Sequence, residues 1–67
     1  MLTIDQIIAY MEREIVQGRL TGQREELRQL QYSAGMLMRA AHEVDDPECV
    51  RRFSLLAAQA ANAQDDG

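Results

Sequence analysis

The stretch LRQLQYSAGMLMRAAHEV, residues 27–44, decides the fold of this chain. Its apolar residues recur at alternating steps of three and four, which is the a/d pattern of an amphipathic helix sustained for almost three heptads. The pattern predicts a long helix, from about residue 22 to residue 44 and roughly 36 Å in length. The residues on its apolar stripe are Leu27, Leu30, Ala34, Leu37, Ala41 and Val44.

The segment before this helix predicts a first helix, over about residues 4–17. Thr3 is a good N-cap, and Gln6 three residues later completes a capping box. Gly18 predicts the end of this helix, because glycine accepts the left-handed conformation of helix ends, and Thr21 is the predicted N-cap of the second helix. The apolar stripe of the first helix contains Ile4, Ile7, Ile8, Met11 and Ile15.

The segment after the second helix predicts a third, over about residues 47–64. Asp46 can cap it, Pro47 suits its first turn, and Glu48 adds negative charge at the positive end of the helix dipole. Its Ala-rich second half has high helix propensity and allows close approach of a neighbouring helix. One face of this helix carries Cys49, Val50, Phe53, Leu56, Ala57 and Ala60.

The three helices predict an all-α fold in one domain, residues 1–67. Both connections are short, so consecutive helices should run antiparallel around the long second helix. A chain of 67 residues with a single cysteine has a small core and no intramolecular disulfide. Two arrangements remain open: a closed three-helix bundle, or a hairpin of helices 1 and 2 that pairs with a second copy, giving a homodimer through helix 2.

Composition bears on where the chain acts and on what it binds. No apolar run reaches the about 20 residues of a membrane span, and the N-terminus has no signal-peptide pattern. We therefore expect a soluble cytoplasmic protein. The net charge is −4, and the seven basic residues, all arginine, are scattered among eleven acidic ones. Direct nucleic-acid binding, which needs a basic patch, is not expected.

One cluster of reactive side chains lies around the predicted second turn: His42, Glu43, Asp45, Asp46 and Cys49. These residues do not have a recognised metal-ligand spacing. A Cys–His nucleophile pair needs a cleft and an oxyanion hole, for which a chain of 67 helical residues offers little room. We therefore interpret the cluster as structural, and we expect no enzymatic activity, no catalytic residue, no cofactor and no metal.

A few apolar residues fall outside the core stripes. Tyr32 projects nearly opposite the stripe of the second helix, Met36 lies one turn further along the same face, and Arg39 and Glu43 flank them. Aromatic, Met and Arg side chains together are typical of the centres of protein interfaces. Tyr10 lies off the stripe of the first helix and could extend the surface. We predict that Tyr10, Tyr32, Met36, Arg39 and Glu43 bind a partner protein.

No motif matches a protein family closely enough to name one. Residues 13–18 (REIVQG), followed by a Leu/Ala-patterned helix, resemble the helical hairpin of small type III secretion needle cochaperones. The third helix departs from that family's pattern, in which the hairpin is C-terminal. In size and acidic character the chain is also similar to short proteins with which bacteriophages and mobile elements block host machinery, including anti-CRISPR proteins.

These observations lead to two hypotheses about function. The first is a non-enzymatic inhibitor or regulator that occludes a surface of a larger bacterial host protein, of the phage or mobile-element type. The alternative is a helical cochaperone or structural subunit for a secretion-type client. In that case the apolar face of the second helix, with Leu27, Leu30, Leu37 and Val44, would bind the client.

Overall fold

The computed structural model describes residues 1–65, which form three helices packed together. They are α1 (Ile4–Thr21), α2 (Arg24–Glu43) and α3 (Pro47–Asp65). Residues 1–65 contain no strand, so the predicted all-α fold is confirmed. Over the same range, no helix combines the length and the hydrophobicity that a membrane crossing requires.

The start of α1 is fixed by a capping box, as predicted. The backbone N–H of Gln6 donates to Thr3 Oγ1 at 3.1 Å, and the backbone N–H of Thr3 donates to Gln6 Oε1 at 2.9 Å. Two of the four backbone donors that have no partner at a helix N-terminus are thereby satisfied.

The end of α1 differs from the prediction. The helix does not stop at Gly18 but continues to Thr21, and Gly22 takes the left-handed conformation (φ 69°). The N–H groups of Gly22 and Gln23 then return to the carbonyls of Arg19 and Gly18, which is the Schellman pattern of helix termination. Gly18 has another role: a Cβ there would lie 3.0 Å from Cδ2 of Leu27, so this glycine permits close packing of α1 on α2.

The second helix, α2, is shorter than predicted at both ends. Thr21 does not cap it, because it still belongs to α1 and its Oγ1 donates to the carbonyl of Gln17. The helix ends at Glu43, and the N–H groups of Asp45 and Asp46 return to the carbonyls of His42 and Ala41 in a second Schellman pattern. With 20 residues, about 30 Å, α2 is only slightly longer than the 18 and 19 residues of its neighbours.

Two hydrogen bonds and one ion pair show how the helices are oriented. Gln64 near the end of α3 binds both Arg24 and Gln31 near the start of α2, so α2 and α3 are antiparallel. Arg52 in α3 binds Asp5 in α1 at 2.9 Å, which brings the starts of these two helices together. The chain therefore runs up, down and up. The most extensive helix–helix contact is between α2 and α3.

The core lies along the axis between the three helices. Ala34 and Ala60 are fully buried, which lets α2 and α3 approach closely, and Phe53 and Leu27 are the largest fully buried side chains. Val44 is an error of the heptad pattern: it was predicted in the core but is 74% exposed, because α2 ends one residue before it. The core cluster contains Ile8, Met11, Ile15, Leu27, Ala34, Phe53, Leu56, Ala60 and Ala63.

Candidate protein-binding surface

The outer face of α2 and its C-cap residue carry a row of apolar side chains at intervals of four residues. Tyr32 is 62% exposed, Met36 63% and Val44 74%, and Ala40 between them is also exposed. Side chains four residues apart on a helix lie one above the other, and together they form a ridge. We call Tyr32, Met36, Ala40 and Val44 the outer ridge.

The residues predicted to bind a partner are all at the surface. Arg39 and Glu43 are exposed on the last turns of α2, and Tyr10 on α1 is 53% exposed. Tyr10 shares a shallow pocket of about 230 Å³ with Gln29 and Ser33 of α2, so it borders the outer face of α2. The predicted exposure is confirmed; the binding role of these residues stays a prediction.

Each exposed tyrosine is accompanied by an arginine one turn away. The guanidinium of Arg28 lies 6.0 Å from the ring centroid of Tyr32, and that of Arg13 lies 5.6 Å from the ring of Tyr10. The pKa of Arg28 is raised, chiefly by its side-chain hydrogen bond to Tyr32. Cation–π contacts of this kind restrict the rotation of the ring.

A second apolar feature, which the periodicity of the sequence does not predict, lies where the start of α1 meets the turn between α2 and α3. It is a groove of about 220 Å³, and Ala40 and Val44 belong to both the outer ridge and this groove. We call it the end groove. The sequence pattern assigned most of its apolar residues to the core. The groove is lined by Ile4, Leu37, Ala40, Ala41, Val44, Asp46, Cys49 and Phe53.

Carboxylates are frequent among the residues that line the end groove and their neighbours in sequence. Asp46 lines it, and the other four are direct neighbours in sequence of lining residues; we call Asp5, Glu43, Asp45, Asp46 and Glu48 the acidic rim. Two arginines, Arg39 and Arg52, also neighbour lining residues, and Arg52 is paired with Asp5. Together the five carboxylates and two guanidinium groups carry a net charge of −3, on residues that line the groove or adjoin its lining in sequence.

Asp46 has a structural role within this rim. Its Oδ1 accepts a hydrogen bond from the backbone N–H of Cys49 at 3.2 Å, so it caps α3 as predicted. This backbone bond is also the main reason why the pKa of Asp46 lies below the ordinary value, and a side-chain bond from Cys49 adds to it. The Asp46 carboxylate is therefore charged at neutral pH, and this part of the rim is negative.

The cluster around His42 and Cys49 has little of what a catalytic or metal site requires. The hydrogen bond to Asp46, and then burial, raise the pKa of the Cys49 thiol, whereas a nucleophilic cysteine needs a lowered pKa. His42 is exposed and shares a shallow pocket with Asp45, Asp46, Pro47 and Val50. In the described range, 1–65, no group of three or more His, Cys, Asp or Glu residues could hold a metal ion.

The left-handed backbone conformation of Asp45, in the turn after α2, lowers the stability of the fold, and a substitution can measure by how much. Asp45 has φ 59° and occupies the same position of a Schellman pattern as Gly22 does after α1. We expect Asp45→Gly to stabilise the fold by about 0.5–1 kcal/mol, because glycine adopts this conformation freely and because a negative charge leaves the C-terminus of α2. In thermal unfolding the midpoint should rise by about 2–8 °C.

Gly22→Ala is the matched control for Asp45→Gly. It places a Cβ at the equivalent left-handed position of α1, where no atom lies within 4 Å, so its effect is purely conformational. We expect this variant to lose about 1 kcal/mol. An unchanged or lowered unfolding midpoint for Asp45→Gly would mean that the Asp45 side chain makes stabilising contacts that offset its backbone cost.

No protein family, no curated protein and no solved structure matches the chain.

Proposed function

We propose that this chain is a small non-enzymatic protein-binding module that inhibits or regulates a larger bacterial protein by covering part of its surface. The observation that carries the proposal is the outer ridge: four exposed apolar side chains in one row, three on α2 and the fourth, Val44, at its C-cap. Large apolar side chains that adjoin one another at a surface mark interaction sites more often than scattered ones do.

The chemistry of the ridge suits a protein partner. Tyr, Met and Arg are enriched at the centres of interfaces, and here Tyr32 and Met36 lie beside Arg28 and Arg39. A row spaced by four residues can insert into the corresponding groove of another helix, in the commonest class of helix packing. Tyr10 extends this surface onto α1. We therefore propose Tyr10, Tyr32, Met36, Arg39 and Glu43 as contacts.

The protonation of Cys49 and the lining of the pocket between α1 and α3 favour an inhibitor over an enzyme. Cys49, as a protonated thiol hydrogen-bonded to Asp46, is a poor nucleophile. A pocket of about 300 Å³ between α1 and α3 is lined by Ile15, Val16, Arg19 and their neighbours, and it contains no Cys, His or Ser. We place the protein in the bacterial cytoplasm, among the short acidic inhibitors of phage or mobile-element type.

The cochaperone alternative has less support. It needs the apolar face of α2 for a client, but Leu27 is 1% exposed in the core of the chain itself, and Leu30 and Leu37 pack against that core. Of the four residues named for that role, Val44 alone projects freely into solvent. A client could reach the others only if α1 or α3 moved away.

The double variant Tyr32→Asp/Met36→Asp tests the proposed function. We expect it to fold normally, because both side chains are exposed, and to weaken partner binding at least about 30-fold, because it puts two charges into a desolvated contact. The matched control is Val16→Asp/Leu20→Asp, which changes another exposed pair with the same spacing, on α1. Its affinity for the partner should stay within about twofold of the original.

The measurement has two stages. Affinity capture from a lysate of the source organism identifies proteins retained by the original chain and the control but lost with the ridge variant. Calorimetry with the purified partner then gives each Kd, and circular dichroism verifies that all variants are folded. Equal binding by the ridge variant and the original chain, or no partner for the original chain, would show that the proposal is wrong.

A further inference from the structure

We infer that the end groove receives a basic amphipathic helix of the partner, with an apolar side chain in the groove and Lys or Arg side chains on the acidic rim. The inference rests on the proposed protein-binding function, and it specifies the chemistry of the partner. Two observations carry it: the apolar lining of the groove, and the charge around it.

The lining of the groove is an apolar surface that this chain leaves uncovered. Phe53 is buried at its floor, Leu37 is half-buried, Ile4 is 42% exposed and Val44 74% exposed. The side chains of Ile4 and Val44 therefore border a space that a bulky apolar side chain could enter. Because the groove continues into the outer ridge through Ala40 and Val44, a helix bound there would contact both.

The negative charge of the acidic rim indicates that the polar face of the partner helix is basic. The acidic rim has five carboxylates, whereas the neighbouring residues include only two arginines, and Arg52 is already paired with Asp5. Negative potential beside an apolar surface favours a partner whose apolar residue is flanked by cations, and it repels an acidic one. A helix with an apolar stripe and a Lys- or Arg-rich polar face has this arrangement.

The rim argues against a second copy of this chain as the occupant. A twofold dimer places the same patch of both protomers face to face. Copies that met through the end groove would bring Glu43, Asp45 and Glu48 close to their own equivalents, and like charges at an interface cost affinity. A chain with a net charge of −4 reinforces this repulsion.

Each of residues 43–45 is locally unfavourable for the stability of the fold. Glu43 puts a negative charge at the negative end of α2, Val44 is a large apolar residue in solvent, and Asp45 takes a left-handed conformation where glycine is the usual residue. Within residues 1–65, no side-chain hydrogen bond or ion pair of Glu43 or Asp45 offsets these costs. Residues that reduce stability in this way are expected where a surface serves binding.

The test uses two synthetic 18-residue helical peptides with the same leucine stripe, one with lysines and one with glutamates on the polar face. Fluorescence anisotropy at low salt should give binding of the lysine peptide with a Kd below about 100 μM, and no binding of the glutamate peptide. Val44→Asp should raise that Kd at least about tenfold, and Glu43→Gln/Asp45→Asn about three- to tenfold. These three positions are exposed, at the end of α2 and in the turn after it, so the fold should be kept.

Glu25→Gln/Glu26→Gln is the matched control, because it removes the same charge from the opposite end of α2. It should change the Kd less than about twofold. The inference is wrong if the glutamate peptide binds equally well, if the lysine peptide does not bind, or if the rim variants and the control have equal effects. It is also wrong if sedimentation shows a dimer that Val44→Asp dissociates, because the occupant is then a second copy.

The two proposals fail in distinguishable ways. If the peptide does not bind but Tyr32→Asp/Met36→Asp still abolishes capture of a partner, the inference about the end groove is wrong and the proposed function stands. If the peptide binds in the groove but the ridge variant leaves partner binding intact, the contact proposed on α2 is wrong.

Discussion

Phe53→Ala is expected to destabilise this chain by about 3–5 kcal/mol, a large part of its total stability. Phe53 is the single phenylalanine of the sequence, is 2% exposed and belongs to the core cluster. Truncating a buried Phe to Ala costs about 3–5 kcal/mol, through lost burial and the cavity that remains. A chain of 67 residues has a total stability of about 3–10 kcal/mol, so this one change removes a large part of it.

Circular dichroism and urea titration measure the effect. Phe53→Ala should lose most of its helical signal or unfold at a much lower urea concentration, whereas Phe53→Leu, which keeps most of the volume, should unfold cooperatively with a loss below about 1.5 kcal/mol. A loss below 1 kcal/mol for the Ala variant, on the order of a surface substitution, would mean that α1, α2 and α3 repack around the cavity.

Leu27→Ala is expected to cost about 2–5 kcal/mol, the range for a fully buried leucine. Leu27 is 1% exposed and lies against Gly18, where a Cβ would stand 3.0 Å from Cδ2 and 3.1 Å from Cγ of the leucine. The two residues form a close contact between α1 and α2. Removing the leucine side chain therefore leaves a cavity at the point where these helices approach each other.

Substitutions of Gly18 and Leu27, made singly and together, test the contact between the two residues directly. In the original chain, Gly18→Ala should destabilise, because the fully buried Leu27 cannot yield and overpacking costs about 1–3 kcal/mol. In the Leu27→Ala background the same change should stabilise by about 0.5–1 kcal/mol, because the space is free and Ala is the better helix former. Urea titrations in an osmolyte keep the weakened variants measurable. Additive effects of the two changes would disprove the contact.

The local signals of the sequence predicted much of the fold. The capping box at Thr3 and Gln6, the restart at Asp46 and Pro47, and the buried face of α3 around Phe53 were all predictable, because each depends on residues within one or two turns. The exposure of Tyr32, Met36 and Tyr10 followed from helical periodicity, which relates sequence position to direction.

The errors came from residue types with two physical roles. Glycine can end a helix or permit close packing, and the sequence does not distinguish these roles at Gly18 and Gly22. Val44 continues the heptad pattern in sequence, but α2 has already ended. The end groove depends on where three helix ends meet in space, and no periodicity within one helix describes that meeting point.

The unequal contacts of the three helices give this molecule two levels of stability. The alanines of α2 and α3 let these two helices pack closely, whereas α1 presents Ile8, Met11 and Ile15 and makes fewer close approaches to either. Partial opening should therefore begin with detachment of α1 from a persisting α2–α3 hairpin, and its amide hydrogens should exchange with solvent first. Because Ile4 belongs to α1, such opening also dismantles one wall of the end groove, so an occupant of that groove would hold the helix in place.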